Sequence, residues 1–346
     1  MEQQEERLFS LAKQLYEANF WEDYWDKDLI AIQLANRSEP VFVSVLGKID
    51  QNYGFLFYRN LEELSYFFET VKRSQFREFR SLMEILQTKK CLSLEYDDRT
   101  NLSKTDYQRI KSSNVTFRGK MAWPVFIDYC PGYCPYPMRE EDTPLMIDLM
   151  EKLLPTALDF RKKLVVCAEE RSAVEIFLRT YKKDGSYEDG LLVLPEVITE
   201  GLNLAKEESS ILVTNFEMKR VDTQKFVPSV WELDIDFVGA AIHPDTNERP
   251  YFPSVLIVVD SESSQVICSE LIKPEDIEGV QRLLIQLILS ENGKPPKIVV
   301  DANHYFQIAS YLESVLNELG IELVPIQKLP MISVIKEDML DYFKEQ

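Results

Sequence analysis

The last third of the chain constrains the fold most, because three β-rich segments in a row are followed by segments that alternate between helix and strand. In chain order these are strands at Trp231 to Val238, Ser254 to Val259 and Gln265 to Leu271, a helix from Pro274 to about Glu291, a strand at Lys297 to Val300, a helix from about Ile308 to Leu319, a strand at Ile321 to Ile326 and a helix at Ile332 to Phe343. Consecutive strands pair antiparallel, whereas strands joined by a helix pair in parallel. The order therefore predicts one mixed sheet covered by helices.

The first part of the chain predicts an α+β domain. Leu8, Leu11 and Leu15 recur at helical spacing in an amphipathic helix that ends near Phe20. The remaining predicted segments are strands at Leu29 to Leu34, Val41 to Leu46, Tyr53 to Tyr58 and Cys91 to Tyr96, and helices at Leu61 to Val71, Gln75 to Leu86 and Thr143 to Phe160. Short polar turns between the first three strands favour an antiparallel meander.

Length predicts two domains, since 346 residues exceed one ordinary core. We expect the α+β domain over residues 1–165 and the mixed-sheet domain over 228–346. Residues 166–227 are expected to hold connecting strands, at Leu164 to Cys167, Gly190 to Leu194 and Ser210 to Phe216. These connecting strands could finish the first domain or begin the second. Because both domains combine helices with strands, the predicted fold class of the chain is α/β.

Composition predicts a soluble protein of the cytoplasm. No apolar run is long enough to span a bilayer, and the start is acidic where a signal peptide would be basic. Five scattered cysteines fit reduced thiols rather than a disulfide framework. The formal net charge of −19 disfavours nucleic acid as a partner, because phosphate binding depends on Lys and Arg.

Acidic residues of the last third carry a resemblance to a known class of enzymes. Trp231-Glu232-Leu233-Asp234 resembles the Trp-x-x-Asp opening of integrase and transposase catalytic cores, and Pro296 to Asp301 resembles the strand that delivers their second catalytic Asp. Thirty-five residues then separate Asp301 from Glu337, the spacing that those enzymes show before their Glu. The resemblance implies a ribonuclease H-like fold for residues 228–346.

The same resemblance implies a catalytic site of Asp234, Asp301 and Glu337. These carboxylates, with Asp236 as an alternate to Asp234, would hold Mg²⁺ or Mn²⁺, since phosphodiester cleavage in this class uses two divalent cations to activate water and stabilise the leaving oxygen. His304 lies three residues after Asp301 and could assist. Asp301 is followed by Ala302-Asn303, where integrases usually have a residue and then Gly.

A structural interpretation of these carboxylates stands beside the catalytic one. Side chains alternate along a strand, so Glu232, Asp234 and Asp236 share one face, which must be solvated or ligated. They could line the wet side of an edge strand, while Asp301 starts a helix as its N-cap. This interpretation favours a non-catalytic or degenerate ribonuclease H-like protein that acts through protein contacts, with a divalent-metal-dependent nuclease as the alternative.

An aromatic and proline-rich stretch, residues 123–137, is the best candidate for a partner surface. Proline excludes a regular helix there, so we expect an ordered loop. Tyr129, Tyr133 and Tyr136 could anchor a protein partner. Cys130 and Cys134 have no second pair at metal-ligand spacing, which disfavours structural zinc. The chain has no P-loop, dinucleotide fingerprint or nucleophile elbow.

The whole chain also resembles an uncharacterised family of bacterial proteins known as domains of unknown function. The residues that carry this resemblance are Pro124-Val125-Phe126, Pro131-Gly132-Tyr133, Arg249 to Pro253, and the ending from Gly320-Ile321 to Leu329-Pro330. It implies a bacterial, cytoplasmic, two-domain protein and adds no activity.

Overall fold

The computed structural model of the chain describes residues 2–48, 52–75, 88–167, 175–199, 210–244, 248–291 and 293–335. It divides into two compact units, Met1–Leu204 and Ala205–Gln346. Within the described ranges, every helix is too short or too polar to serve as a membrane span. The predicted helix from Gln75 to Leu86 falls almost entirely outside those ranges.

The N-terminal unit is built on an eight-stranded sheet. Its strands are β1 Ile30–Gln33, β2 Val41–Leu46, β3 Tyr53–Tyr58, β4 Cys91–Asp97, β5 Trp123–Tyr129, β6 Tyr136–Pro137, β7 Glu175–Tyr181 and β8 Tyr187–Val193. The spatial order is β6-β5-β4-β3-β2-β1-β7-β8, and all neighbours are antiparallel except β1 and β7. The predicted antiparallel meander is confirmed and extends to six strands.

Helices cover both faces of this sheet. They are α1 Glu2–Ala18, α2 Leu61–Gln75, α3 Lys104–Ser112, α4 Thr143–Cys167 and the short α5 Glu196–Thr199. The larger core packs α1 and α4 on one face, around Leu8, Phe55 and Phe160. A smaller core on the other face includes Leu56 and Leu64, so α2 packs there.

Three predictions of secondary structure between residues 123 and 216 are wrong. Leu164 to Cys167 is the end of α4 and not a strand, because its apolar run continues the helix. Ser210 to Phe216 is not a strand either, since Thr214 caps a helix that starts at Asn215. Residues 123–129 form β5 rather than a loop.

The C-terminal unit holds a five-stranded mixed sheet. Its elements in chain order are α6 Asn215–Asp222, β9 Val230–Phe237, β10 Ser254–Asp260, β11 Gln265–Ile272, α7 Ile277–Ser290, β12 Lys297–Asp301, α8 Tyr305–Leu319 and β13 Glu322–Ile326. The spatial order is β11-β10-β9-β12-β13, with β9 to β11 antiparallel and β12 parallel to both β9 and β13. This is the ribonuclease H-like mixed sheet that the sequence predicts.

The two faces of this sheet are covered differently. Trp231, Leu233 and Ile235 of β9 pack with α7 and α8 in the main core. The opposite face has a smaller apolar cluster that includes Ile257, Leu329 and Ile332, so the segment after β13 covers it. That segment is helical over 330–335. The acidic residues of β9 belong to this second face.

Candidate functional site

β9 is the central strand of its sheet, flanked by β10 and β12. The interpretation that places Glu232, Asp234 and Asp236 on the wet side of an edge strand is therefore wrong. Glu232 is 2% exposed and Asp234 3% exposed, while Asp236 is half-buried near the end of the strand. Two carboxylates are thus buried beside an apolar cluster, where each requires hydrogen-bond donors.

Glu232 obtains its donors from the start of the helical segment at 330–335. The backbone amide of Met331 donates to both of its oxygens, at 3.2 Å to Oε1 and 3.0 Å to Oε2, and the amide of Ile332 donates to Oε2 at 3.0 Å. Amides in the first helical turn have no acceptor within their own helix. Pro330 occupies the position before them and has no amide hydrogen to satisfy. Glu232 therefore supplies, from 99 residues away, the acceptor that an N-cap side chain usually supplies.

Asp234 accepts a hydrogen bond from the imidazole of His304. The two atoms, Asp234 Oδ1 and His304 Nδ1, lie 2.7 Å apart. An ionised carboxylate can only accept, which requires the His304 tautomer with its proton on Nδ1. The same Oδ1 atom also accepts from the amide of Ile235 at 3.0 Å. The His304 side chain is 34% exposed, so the ring reaches from the buried carboxylate to the surface.

Asp301 ends β12 beside Asp234. The register pairs Val300 with Leu233, so the next position along both parallel strands brings Asp301 next to Asp234 on the same face. The Oδ1 atom of Asp301 accepts from the amide and the side-chain nitrogen of Asn303, at 2.8 and 2.9 Å. Asp301 thus stabilises the turn between β12 and α8. The N-cap of α8 is His304 rather than Asp301, which corrects that part of the structural interpretation.

Of the two other residues of the predicted metal site, the structure describes Asp236. Asp236 accepts from the amide of Phe237 at 2.8 Å. Glu337 lies outside the described residues. In the part of the chain that the structure describes, no three His, Cys, Asp or Glu side chains gather as metal ligands would.

The predicted partner residues lie on and after β5. Tyr129 is buried, and its hydroxyl donates to Glu95 Oε1 at 2.9 Å, so its ring belongs to the core. Burial and the neighbouring Glu95 raise the pKa of Tyr129 far above its usual range. Tyr133 is half-buried in a turn in which its amide donates to the Cys130 carbonyl, and Tyr136 on β6 is 36% exposed. Cys130 and Cys134, near Tyr133 in the chain, are half-buried.

Sequence reasoning missed the partners of the acidic residues on β9. It placed His304 close to Asp301 along the chain, but the hydrogen bond goes to Asp234, 70 residues away. The role of Glu232 had one usable signal. Pro330 is a favoured first helical residue, and its helix therefore needs an acceptor for the two amides that follow.

Fold and site together define the class of this protein. It is an α/β protein with two units, of which the C-terminal one has a ribonuclease H-like sheet and a buried acidic face on the central strand. The chain belongs to the family described as domain of unknown function (DUF7309), whose model matches residues 6–179, half of the chain. A second model, domain of unknown function (DUF6930), matches residues 217–340. No curated protein matches the chain.

Several solved structures share partial similarity with the chain. One is the catalytic core domain of the HTLV-2 integrase in complex with magnesium, 18% identical, with a TM-score of 0.24 over 35% of this chain and 74% of that chain. Another is a simian T-cell lymphotropic virus intasome in complex with the PP2A regulatory subunit B56 gamma, 18% identical, with a TM-score of 0.25 over 37% of this chain and 45% of that chain. The Mos1 strand transfer complex is 16% identical, with a TM-score of 0.20 over 78% of this chain and 77% of that chain. At such TM-scores the fold assignment rests on the strand order and register of this chain.

Proposed function

We propose that the C-terminal unit is a non-catalytic member of the ribonuclease H-like fold and that the chain acts through contacts with another protein. The observation that carries this proposal is the hydrogen bond between Asp234 Oδ1 and His304 Nδ1. A catalytic metal ligand must offer its lone pairs to a cation at an open site. The Asp234 carboxylate is buried and already accepts from an imidazole and from a backbone amide.

The neighbouring carboxylate supports the same conclusion. Both oxygens of Glu232 accept from the helical segment at 330–335, so this residue holds the segment on the sheet. The charge balance also disfavours a nucleic-acid substrate, because residues 228–346 contain 20 acidic and 8 basic residues. The acidic face of β9 thus has a structural use, and the proposed role is binding.

Metal binding and cleavage together test the non-catalytic assignment. Mn²⁺ is titrated into the full chain by calorimetry, and plasmid DNA, single-stranded DNA and RNA are incubated with the chain in Mg²⁺ or Mn²⁺. We expect no saturable metal binding at millimolar concentration and no cleavage. The same assays use Asp301→Asn, with Glu313→Gln on the exposed face of α8 as the matched control. Cleavage that Asp301→Asn abolishes and Glu313→Gln preserves would refute the proposal.

One observation favours a second candidate function, a divalent-metal-dependent nuclease. Val300 pairs with Leu233 on adjacent parallel strands, and Asp301 and Asp234 are the residues that follow them. In this candidate they would bind Mg²⁺ or Mn²⁺ together with Glu337, with Asp236 as an alternate to Asp234. His304 would then have to leave Asp234 when the metal binds. Manganese binding that strengthens in His304→Ala and disappears in Asp301→Asn would support the nuclease.

Tyr133 and Tyr136 are the proposed anchors for a protein partner. Tyr136 lies on the two-residue strand β6 at the edge of its sheet, and Tyr133 lies in the preceding turn. Partly exposed tyrosines combine a large apolar area with a hydroxyl, which suits them to interfaces. Photo-crosslinking from a probe amino acid at position 135 in living cells should give a discrete adduct. The double variant Tyr133→Ser/Tyr136→Ser should abolish it, whereas Phe216→Ser, at an exposed ring of the other unit, should not.

We also propose that the chain is a cytoplasmic bacterial protein. The odd number of scattered cysteines and the resemblance of the whole chain to bacterial proteins support this location and origin. Fractionation of cells that express the tagged chain at native level tests the location. Recovery in the membrane or secreted fraction would contradict it.

A further inference from the structure

A cleft of about 440 Å³ lies between α2 and the face of the N-terminal sheet that α2 covers. Its described lining is Asp26, Ser44, Leu46, Leu56, Tyr58, Tyr66, Phe67, Thr70, Val71, Lys89 and Lys90. We call it the α2 cleft. Its volume is in the range of small-molecule sites, roughly 300–1,000 Å³. All of these lining residues belong to the N-terminal unit.

Most of the wall of the α2 cleft is apolar. Leu46 and Leu56 come from β2 and β3, and Phe67 and Val71 come from one side of α2. The rings of Phe67 and Tyr58 pack at 5.6 Å between α2 and β3. A wall of this kind favours the hydrocarbon or aromatic body of a ligand, because the ligand's apolar surface leaves water when it binds.

Tyr58 offers a buried hydrogen-bond donor to this cleft. The residue is 4% exposed and lines the cleft. Burial holds the pKa of Tyr58 well above its ordinary value, so the phenol keeps its proton and can donate. A ligand with an oxygen acceptor would therefore find a hydrogen-bond donor in the cleft.

Lys89 places a positive charge at the same cleft. Its ammonium lies 4.7 Å from the centroid of the Tyr129 ring and has no carboxylate partner within the described part of the chain. Lys90 differs, because Glu62 Oε1 binds its ammonium at 2.6 Å. Asp26 is the acidic residue of the described lining. In a chain with a net charge of −19, an uncompensated cation beside an apolar cleft selects a negative ligand.

We propose that the α2 cleft binds a small apolar carboxylate, with the carboxylate at Lys89 and the apolar body between α2 and the sheet. The ligand is either an acyl or an aromatic acid, since both combine one carboxylate with an apolar body of suitable size. The proposal concerns the N-terminal unit and is independent of the function proposed for the C-terminal unit.

Calorimetry on the full chain tests the proposal with defined probes. Octanoate represents an acyl acid and 2-naphthoate an aromatic acid, while octan-1-ol and octylamine match octanoate without its negative charge. We expect at least one of the two acids to bind one per chain, at least 10-fold more tightly than the alcohol or the amine. The tighter acid identifies the class of the apolar body. No saturable binding of either acid at millimolar concentration overturns the proposal.

Three variants locate the binding. Lys89→Met should weaken acid binding at least 10-fold and leave octan-1-ol binding unchanged, which also shows that the cleft stays intact. Lys111→Met, an exposed lysine of α3, should leave every affinity unchanged. Val71→Trp should fill the cleft and abolish binding of both acid and alcohol. Acid binding that is as tight in Lys89→Met or Val71→Trp as in the native chain would refute the assignment.

Discussion

Replacing Glu232 with alanine should release the start of the helical segment at 330–335. The change removes the acceptor of the Met331 and Ile332 amides, which have no acceptor within their own helix. Ile332 is buried, so its orphaned amide costs about 2 kcal/mol, whereas Met331 is half-buried and water reduces its cost to about 1 kcal/mol. The segment should therefore lose about 3 kcal/mol of local stability.

Hydrogen exchange read by mass spectrometry measures this loss directly, because it reports local opening in a chain with two units. A loss of about 3 kcal/mol corresponds to roughly 100-fold faster exchange of the amides in 330–335. Glu232→Gln keeps one side-chain oxygen as an acceptor, so its exchange should be intermediate, roughly 10-fold faster. Glu313→Ala, an exposed glutamate of α8, should change nothing in this segment.

The graded series also guards against a trivial loss of fold. If Glu232→Ala unfolded the whole C-terminal unit, hydrogen exchange would rise in β9 and β10 as well. The milder variant Glu232→Gln would then show whether exchange rises in 330–335 alone. The reasoning fails if 330–335 exchanges at the native rate in both variants while the sheet remains protected. In that case the carboxylate is not what stabilises the segment on the sheet.

Three further predictions concern a helix cap, a titrating carboxylate and a buried thiol. Thr214→Ala breaks the capping box with Glu217 and should cost the C-terminal unit about 1 kcal/mol in urea unfolding; an unchanged midpoint would contradict it. Burial alone would raise the pKa of Asp260, but hydrogen bonds from Ser229, Ser263 and Glu262 leave this pKa lowered in the folded chain. The ionised Asp260 carboxylate therefore stabilises the fold above the pKa of the unfolded chain, and this stabilisation is lost as pH falls through the pKa of the folded chain. The difference in unfolding free energy between the native chain and Asp260→Asn should accordingly shrink in acid, and a constant difference would refute this. Burial raises the pKa of the Cys91 thiol, so Cys91 should resist iodoacetamide in the native chain and react after denaturation, as peptide mass spectrometry can show.

The strands of the C-terminal sheet and the first four strands of the N-terminal sheet were the most predictable part of the fold, whereas β5, β6 and β7 were not predicted as strands. Val41–Leu46 and Tyr53–Tyr58 have the predicted bounds, because dense β-branched and aromatic residues end at polar turns. The error at Ser210 to Phe216 arose from apolar residues at 211–213, which outweighed the Thr214-x-x-Glu217 capping box. The error at β5 arose from Pro124. β6 pairs only with Ile127 and Asp128 of β5, so no strand lies beside Pro124 on that edge of β5. A proline is tolerated at such a position because no neighbouring strand requires its amide as a donor.

For the acidic residues of β9, the sequence predicted which face of the strand they share but not which groups donate hydrogen bonds to them. Period-two alternation places Glu232 and Asp234 on one face of β9, and the cost of burying bare carboxylates requires that this face be solvated or ligated. The structure shows a third solution, in which donors come from segments 70 and 99 residues further along the chain. Those donors are an imidazole and two backbone amides. Every non-proline residue has such an amide, so the sequence marks these two only through Pro330, which favours a helix start just before them. An acidic pattern on the central strand of this fold is therefore compatible with a structural role as well as with metal catalysis. What separates the two is whether the carboxylate lone pairs remain open to a cation, and at Asp234 one of the two oxygens already accepts from His304 and Ile235.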